Sequence, residues 1–292
     1  MGTNSPFTVD VSKMEGYEKG EPVRLVWTGD WHIEMRASVY GAIRQMMDLE
    51  TGKPNTYFLH GGDWFNAVTL DHPHANKAMG GNVYEFSRKE FLESEWIERA
   101  TDRILKFAKY RSPKWIVGHS GNHDRRFEVD GHATIRNICK ALGAAYGGIE
   151  TPWTLRAEGK KIEVWSGHCY GGGGGEYVGT LQNRMERAVG RSDADLMLWA
   201  HFHSGTTVEA PTTGRSGDDI GITRRKVGAI TPSMCNPYRR GQINHWAARF
   251  GPYRGIGYAL IKWVPKTGFL KAEIVHLDDS LKDPKEIGRA HV

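Results

Sequence analysis

The sequence predicts an α/β sandwich, with mixed sheets in the middle and helices outside. Three observations carry that expectation. Short apolar runs of strand length alternate with helical spacings through the first half of the chain. Strand-like runs then dominate the second half. Polar clusters rich in Asp, Asn and His directly follow five of the apolar runs, and layered α/β folds gather their sites beyond the carboxyl ends of strands.

Residues 1–21 read as a polar leader. The run Val23 to Thr28 is a first strand and ends in Gly29-Asp30-Trp31-His32. Arg36 to Leu49 carries Val39, Ile43, Met46 and Met47 at helical spacing, and Gly52-Lys53-Pro54 stops it. Thr56 to Leu59 is a second strand, running into Gly61-Gly62-Asp63. A loop rich in Asn, His and Gly follows; its Asp71-His72-Pro73-His74 has ligand-like spacing but no strand before it. Val83 to Tyr110 is a long helical pattern that could pack on a second copy of the chain or cover the sheet. Trp115 to Val117 is a third strand and meets Gly121-Asn122-His123-Asp124. His119 lies just before that motif and reads as a packed core residue. Ala133 to Leu142 is another helix.

Thr154-Leu155 and Lys161 to Trp165 form a hairpin about Glu158-Gly159, and its second strand ends at Gly167-His168. Five glycines, Gly171 to Gly175, read either as a loop or as a nest of bare amides for an anion. Tyr177 to Val189 is helical and carries Arg184 and Arg187, with Arg191 just beyond. Leu196 to Trp199 is a strand ending at His201-Phe202-His203. Runs near 226–230, 258–264 and 270–275 complete the count. No internal repeat or linker divides the 292 residues, so a single domain over 1–292 is expected, with 211–255 as a substrate-binding elaboration.

Composition narrows the class. Hydrophobic content of 39% with ten Trp, eleven Tyr and ten Phe is globular. Three Cys without a CxxC pair argue against a disulfide scaffold or a thiolate zinc site. No apolar run approaches a membrane span and no signal region opens the chain, which reads as a cytoplasmic protein without a membrane partner. The net charge is +5. From Gly221 to Ala272 there are ten Lys or Arg and no acid, which is either a solvated basic face or a surface for an anionic partner.

The five polar clusters offer Asp, His, Asp, Asn, His, His and His. That N/O set suits Mn²⁺, Fe, Zn²⁺ or Mg²⁺ rather than a soft ion. Seven ligands exceed what one such ion takes from protein, and two ions sharing a carboxylate fit the count. The order D-x-H, G-D, G-N-H-D, G-H and H-x-H, from Gly29 to His203, resembles the calcineurin-like metallophosphoesterase superfamily. The resemblance implies a β-sandwich of two mixed sheets flanked by helices and two divalent ions, with Mn²⁺ the first choice. Asp30, His32 and His203 would hold one ion, Asn122, His168 and His201 the other, and Asp63 would bridge them. The last motif usually reads G-H-x-H, and Ala200 stands here in place of that Gly.

The implied reaction is attack of a metal-bridging hydroxide on phosphorus, with both ions clamping the phosphoryl group. His123 would face the scissile phosphate, protonating the leaving group or stabilising the transition state, and Asp124 would orient it. Asp124 also reads as a turn or cap residue. Gly61-Gly62-Asp63-Trp64-Phe65 is similar to the double-strand-break repair nuclease branch, whereas the Asp-Arg-Gly continuation of protein phosphatases is missing. Tyr238, Arg239 and Arg240, with the run Arg249 to Arg254, interleave cations and aromatic rings as a nucleic-acid surface would. Arg125 and Arg126 could reach a phosphate near the metals. The expectation is therefore a phosphodiesterase on nucleic acid, with DNA the first choice because DNA nucleases carry the nearest motif style, and with small nucleotides or phosphoproteins as the alternative substrates.

Overall fold

A computed structural model describes residues 7–35, 38–66, 95–125, 133–169, 178–216, 219–236 and 255–277. It shows the α/β sandwich expected from the sequence: two mixed six-stranded sheets face each other, with helices on the outer faces. The first sheet contains β1 (Phe7–Asp10), β6 (Glu150–Ala157), β7 (Lys160–His168), β8 (Leu196–Ala200), β9 (Thr206–Ser216) and β10 (Asp219–Ile230), in the order β1-β6-β7-β8-β10-β9. The second contains β2 (Val23–Thr28), β3 (Thr56–His60), β4 (Trp115–Gly118), β5 (Ala145–Tyr146), β11 (Ile256–Val264) and β12 (Phe269–Leu277), in the order β12-β11-β2-β3-β4-β5.

Strands β2, β3, β4 and β5 are parallel, as are β7, β8 and β10. Parallel strands covered on both faces read as continuous apolar runs. Val23, Leu25, Val26 and Trp27 of β2 are accordingly all buried. Odd residues of β2 face the other sheet: Leu25 and Trp27 join Tyr57, Leu59, Leu155, Val164, Leu198 and Ile261 in the core between the sheets. Val26 and Phe58 face outward, into a second core beneath α1 (Tyr40–Glu50), α2 (Trp96–Ala108) and α3 (Ala133–Ala141). The helix α4 (Val178–Arg191) covers the other sheet through Leu181, Met185 and Val189. It lies so close to β10 that a Cβ on Gly228 would stand 2.7 Å from Met185.

One expectation changes. The stretch read as a polar leader contributes β1, paired in parallel with β6, and Val11 is buried. Alternation of Phe7 and Val9 against a sheet edge explains this, since both pack on the inter-sheet core. The 211–255 stretch contributes the end of β9 and all of β10 to the first sheet. The first turns of the long 83–110 pattern, the 71–74 cluster and the five glycines lie outside the described residues.

Candidate metal centre

The five motifs leave the sheets at one edge. Thr28 of β2, His60 of β3 and Gly118 of β4 are level in one sheet, and His168 of β7 is level with Ala200 of β8 in the other. The loops beyond β2 and β3 remain laced together: Asp30 N–H donates to Gly62 O (2.9 Å), His32 N–H to Asp63 O (3.1 Å) and Ile33 N–H to Trp64 O (3.0 Å). Ligand candidates alternate with tryptophans along these loops. Trp31 and Trp64 turn down into the outer core, edge to face at 5.3 Å, while Asp30, His32 and Asp63 turn the other way. Trp64 also stacks on buried His60 and donates to His119 O (3.0 Å).

Glycines make the close approaches. A Cβ on Gly121 would lie 1.9 Å from Asp63 Oδ1, and one on Gly62 would lie 2.6 Å from Gly121 N. Gly121 has no positive φ; it is needed for space, not for a turn. Ala200 finds room because Gly61 and Gly29 face it: a Cβ on Gly61 would stand 2.5 Å from the Ala200 methyl.

All seven ligand candidates come together. Three donor sets have ligand atoms within 4.8 Å of one another: Asp30, His32 and His203; His32, Asp63 and His123; Asp63, His168 and His201. Asn122 Oδ1 joins the last set, 2.8 Å from His168 Nε2, and His201 Nδ1 lies 3.1 Å from the same nitrogen. Asp63 is thus shared between clusters. Each carboxylate is divided in use. Asp30 Oδ2 accepts from His201 N–H (3.0 Å), and Asp63 Oδ1 accepts from His123 N–H (2.8 Å). The remaining oxygens, Asp30 Oδ1 and Asp63 Oδ2, are buried without a hydrogen bond. Imidazole nitrogens surround them instead: His203 Nε2 at 3.4 Å and His32 Nε2 at 3.9 Å from Asp30 Oδ1, His168 Nε2 at 3.3 Å and His32 Nε2 at 3.8 Å from Asp63 Oδ2. Donors about 2.0–2.2 Å from a common ion stand about this far apart. A buried carboxylate oxygen left unpaired is costly, and a divalent ion removes that cost.

Burial and mutual attraction set the charge of the donors. Burial raises Asp30 to about 7. It drives His32 well below the usual range and His203 down to about 3, so both are neutral, the ligating form. At Asp63 and His168 burial opposes charge, but their mutual attraction wins: Asp63 is held well below the ordinary carboxylate range and His168 is lifted to about 9. His168 Nδ1–H donates to Gly61 O (2.9 Å), which leaves Nε2 for the centre. Asp30, His32, His201 and His203, with Asp63, all adopt positive φ, from 43° to 87°. Non-glycine residues held there cost about 1–3 kcal/mol each and cluster at functional sites.

His123 stands at the lip, 9% exposed, its ring 4.9 Å from that of His32. Asp124 is not its orienter. The Asp124 oxygens accept from Phe65 N–H (2.9 Å) and Gly121 N–H (2.7 Å), clasping two motif loops together, because the turn points the carboxylate back into the core. Burial, with the charge of Asp63 second, lifts Asp124 to about 8. His123 Nδ1–H instead donates to Asn66 O (2.7 Å), and Asn66 N–H donates to Glu34 Oε1 (2.6 Å). Both are buried, and both were missed in the sequence; the only signal is their place, three residues past Asp63 and four past Asp30. Arg125 is exposed just after the motif. Arg126, Tyr238, Arg239, Arg240 and the 249–254 run lie outside the described residues. His119 is the core residue expected, with Nε2 2.8 Å from Ser166 Oγ.

No family model and no curated protein matches the sequence. Among solved structures, the chain is similar to a protein from Streptococcus pneumoniae described as a predicted phosphoesterase, at 12% identity and a TM-score of 0.32, covering 87% of this chain and 98% of the other. It is similar to a metallophosphoesterase from Sphaerobacter thermophilus at 10% identity and 0.37, covering 88% and 89%. It is also similar to GAP50, the anchor in the inner membrane complex of Plasmodium, at 10% identity and 0.31, covering 88% and 90%.

Proposed function

We propose that this chain is a metal-dependent phosphoesterase of the calcineurin-like kind, hydrolysing phosphodiester bonds of nucleic acid. One observation carries the reading: two buried carboxylates each keep one oxygen out of every hydrogen bond and aim it among neutral or paired imidazoles. Asp30, His32, His203 and Asp63 would hold one divalent ion; Asp63, Asn122, His168 and His201 would hold a second, with Mn²⁺ the first candidate. Such a pair polarises phosphoryl oxygens and acidifies a water for attack on phosphorus.

The protein's own groups supply the rest. The two sheets hold the donors on separate rigid elements, so the cluster is preorganised. Asn122, His201 and His203 are half-buried and form the open side where a phosphate would enter. With its Nδ1–H donated to Asn66 O, His123 would act through Nε2. It is the candidate to protonate the leaving oxygen. The nucleic-acid assignment draws on the basic, aromatic stretch after Gly221 and on the Gly-Gly-Asp-Trp-Phe motif.

The test is a Mn²⁺-dependent assay on single- and double-stranded DNA, a cyclic nucleotide, and model mono- and diesters. Cleavage of DNA and of the diester is expected. Turnover of a monoester with DNA untouched would sink the nuclease assignment, and no turnover of any ester would sink the phosphoesterase one.

A further inference from the structure

The arginines of α4 have no part in the site described so far. An open groove of about 540 Å³ runs beside this helix, lined by Thr180, Asn183, Arg184, Arg187 and Arg191 and floored by Trp199 of β8. Among the described residues, none of the three guanidinium groups pairs with a carboxylate. The arginines share one helix face because they recur at i, i+3 and i+7. The opposite face, Leu181, Met185 and Val189, is spent on the sheet. Trp199 is fixed through its backbone, whose O accepts from Trp27 Nε1–H (3.0 Å) and Thr231 N–H (2.9 Å).

The groove abuts the metal centre. Phe202 sits between the two: its ring is 5.5 Å from that of His201 and 6.4 Å from that of Trp199, and the Arg184 guanidinium lies over it at 5.4 Å. Arg184 to Arg191 spans about 10 Å at 1.5 Å per residue, the length of about three stacked nucleotides. A row of unpaired cations beside a half-exposed indole is the pairing that holds backbone phosphates and a base face.

We infer that the Arg184–Arg187–Arg191 face of α4, with Trp199 as a stacking platform, is the track for single-stranded nucleic acid leading to the metal centre. The inference rests on the phosphoesterase reading and names where its substrate lies. Arginines serve because their planar donors meet phosphate oxygens in a fixed geometry.

Binding of a fluorescent, phosphorothioate-linked oligothymidylate, followed by anisotropy across a salt series, tests it. Arg187→Gln with Arg191→Gln removes two phosphate contacts. The slope of log K against log salt should fall by about 1.4, and low-salt affinity by about tenfold or more. Trp199→Leu should weaken binding roughly fivefold or more with the slope unchanged. Both changed arginines are exposed, so the melting midpoint of that variant should match the parent. Unchanged affinity and slope in the double variant, or a parent that binds no strand, would overturn the track. Equal loss of duplex and single-strand binding on Trp199→Leu would overturn the stacking role. Mn²⁺-dependent turnover of a small diester by the parent reports separately on the phosphoesterase reading.

Discussion

Asp30 and Asp63 each have one oxygen held by a backbone N–H and the other turned to the centre. That division makes single changes informative. His123→Ala should leave metal content unchanged and lower turnover by about 10²–10⁴-fold, measured by metal analysis beside steady-state kinetics. Loss of a metal ion instead would make His123 a ligand, as its place in the His32–Asp63 set allows. Glu34→Gln should lower kcat with KM little changed, because it loosens the Asn66 carbonyl that fixes the His123 ring. Gly121→Ala should abolish high-affinity Mn²⁺ binding in calorimetry, since its Cβ would occupy the place of Asp63 Oδ1. The seven ligand candidates were legible because Asp, Asn and His recur directly after apolar runs. Asn66 and Glu34 were not, because Asn66 acts through a backbone carbonyl that carries no residue signature. Asp124 was legible as a turn residue, while its assignment to His123 failed on the direction of its side chain.

Among the elements, α1 depends on a polar clamp at its carboxyl end. Glu50 accepts from Arg24 of β2 (2.7 Å), Tyr258 of β11 (2.6 Å) and Lys53 (3.0 Å). Burial would raise its carboxyl, but these donors outweigh burial and hold it below its ordinary value of 4.5. A lowered folded pKa adds stability above the unfolded value that is lost as pH falls through the folded one. The melting midpoint should therefore drop as pH falls below about 4.5. Glu50→Ala, costing about 3–5 kcal/mol at neutral pH, should flatten that drop. Helix α1 was readable from its apolar spacing, although it starts at Tyr40 rather than Arg36. The β9–β10 hairpin was not: Thr, Gly and Arg alternate with few apolar residues over 206–225, so no period-two signal marks it.

At the scale of the molecule, the donor cluster joins two sheets. Asp30, His32, Asp63 and Asn122 follow strands of one sheet, while in the other His168 ends β7 and His201 and His203 follow β8. Metal binding must then stabilise the sandwich as a whole. At an ion concentration a hundredfold above Kd the gain is about 2.7 kcal/mol, so chelation should lower the melting midpoint by roughly 5–10 °C in calorimetry. An unchanged midpoint would mean that the ions do not bridge the sheets. The alternation of strands and helices made the layers legible, but strand order did not follow from it, since β11 inserts beside β2 from more than two hundred residues away.

That insertion sets a timetable for synthesis. All seven donors precede β11 in the chain, so when His203 has emerged from the ribosome β2 still lacks its β11 neighbour and exposes a bare, apolar edge. A nascent chain halted between these points would own every ligand and still be prone to pair with another chain. Metal supplied during translation would then protect the chain less than synthesis of β11 and β12, because only these strands close the sheet on which the centre stands.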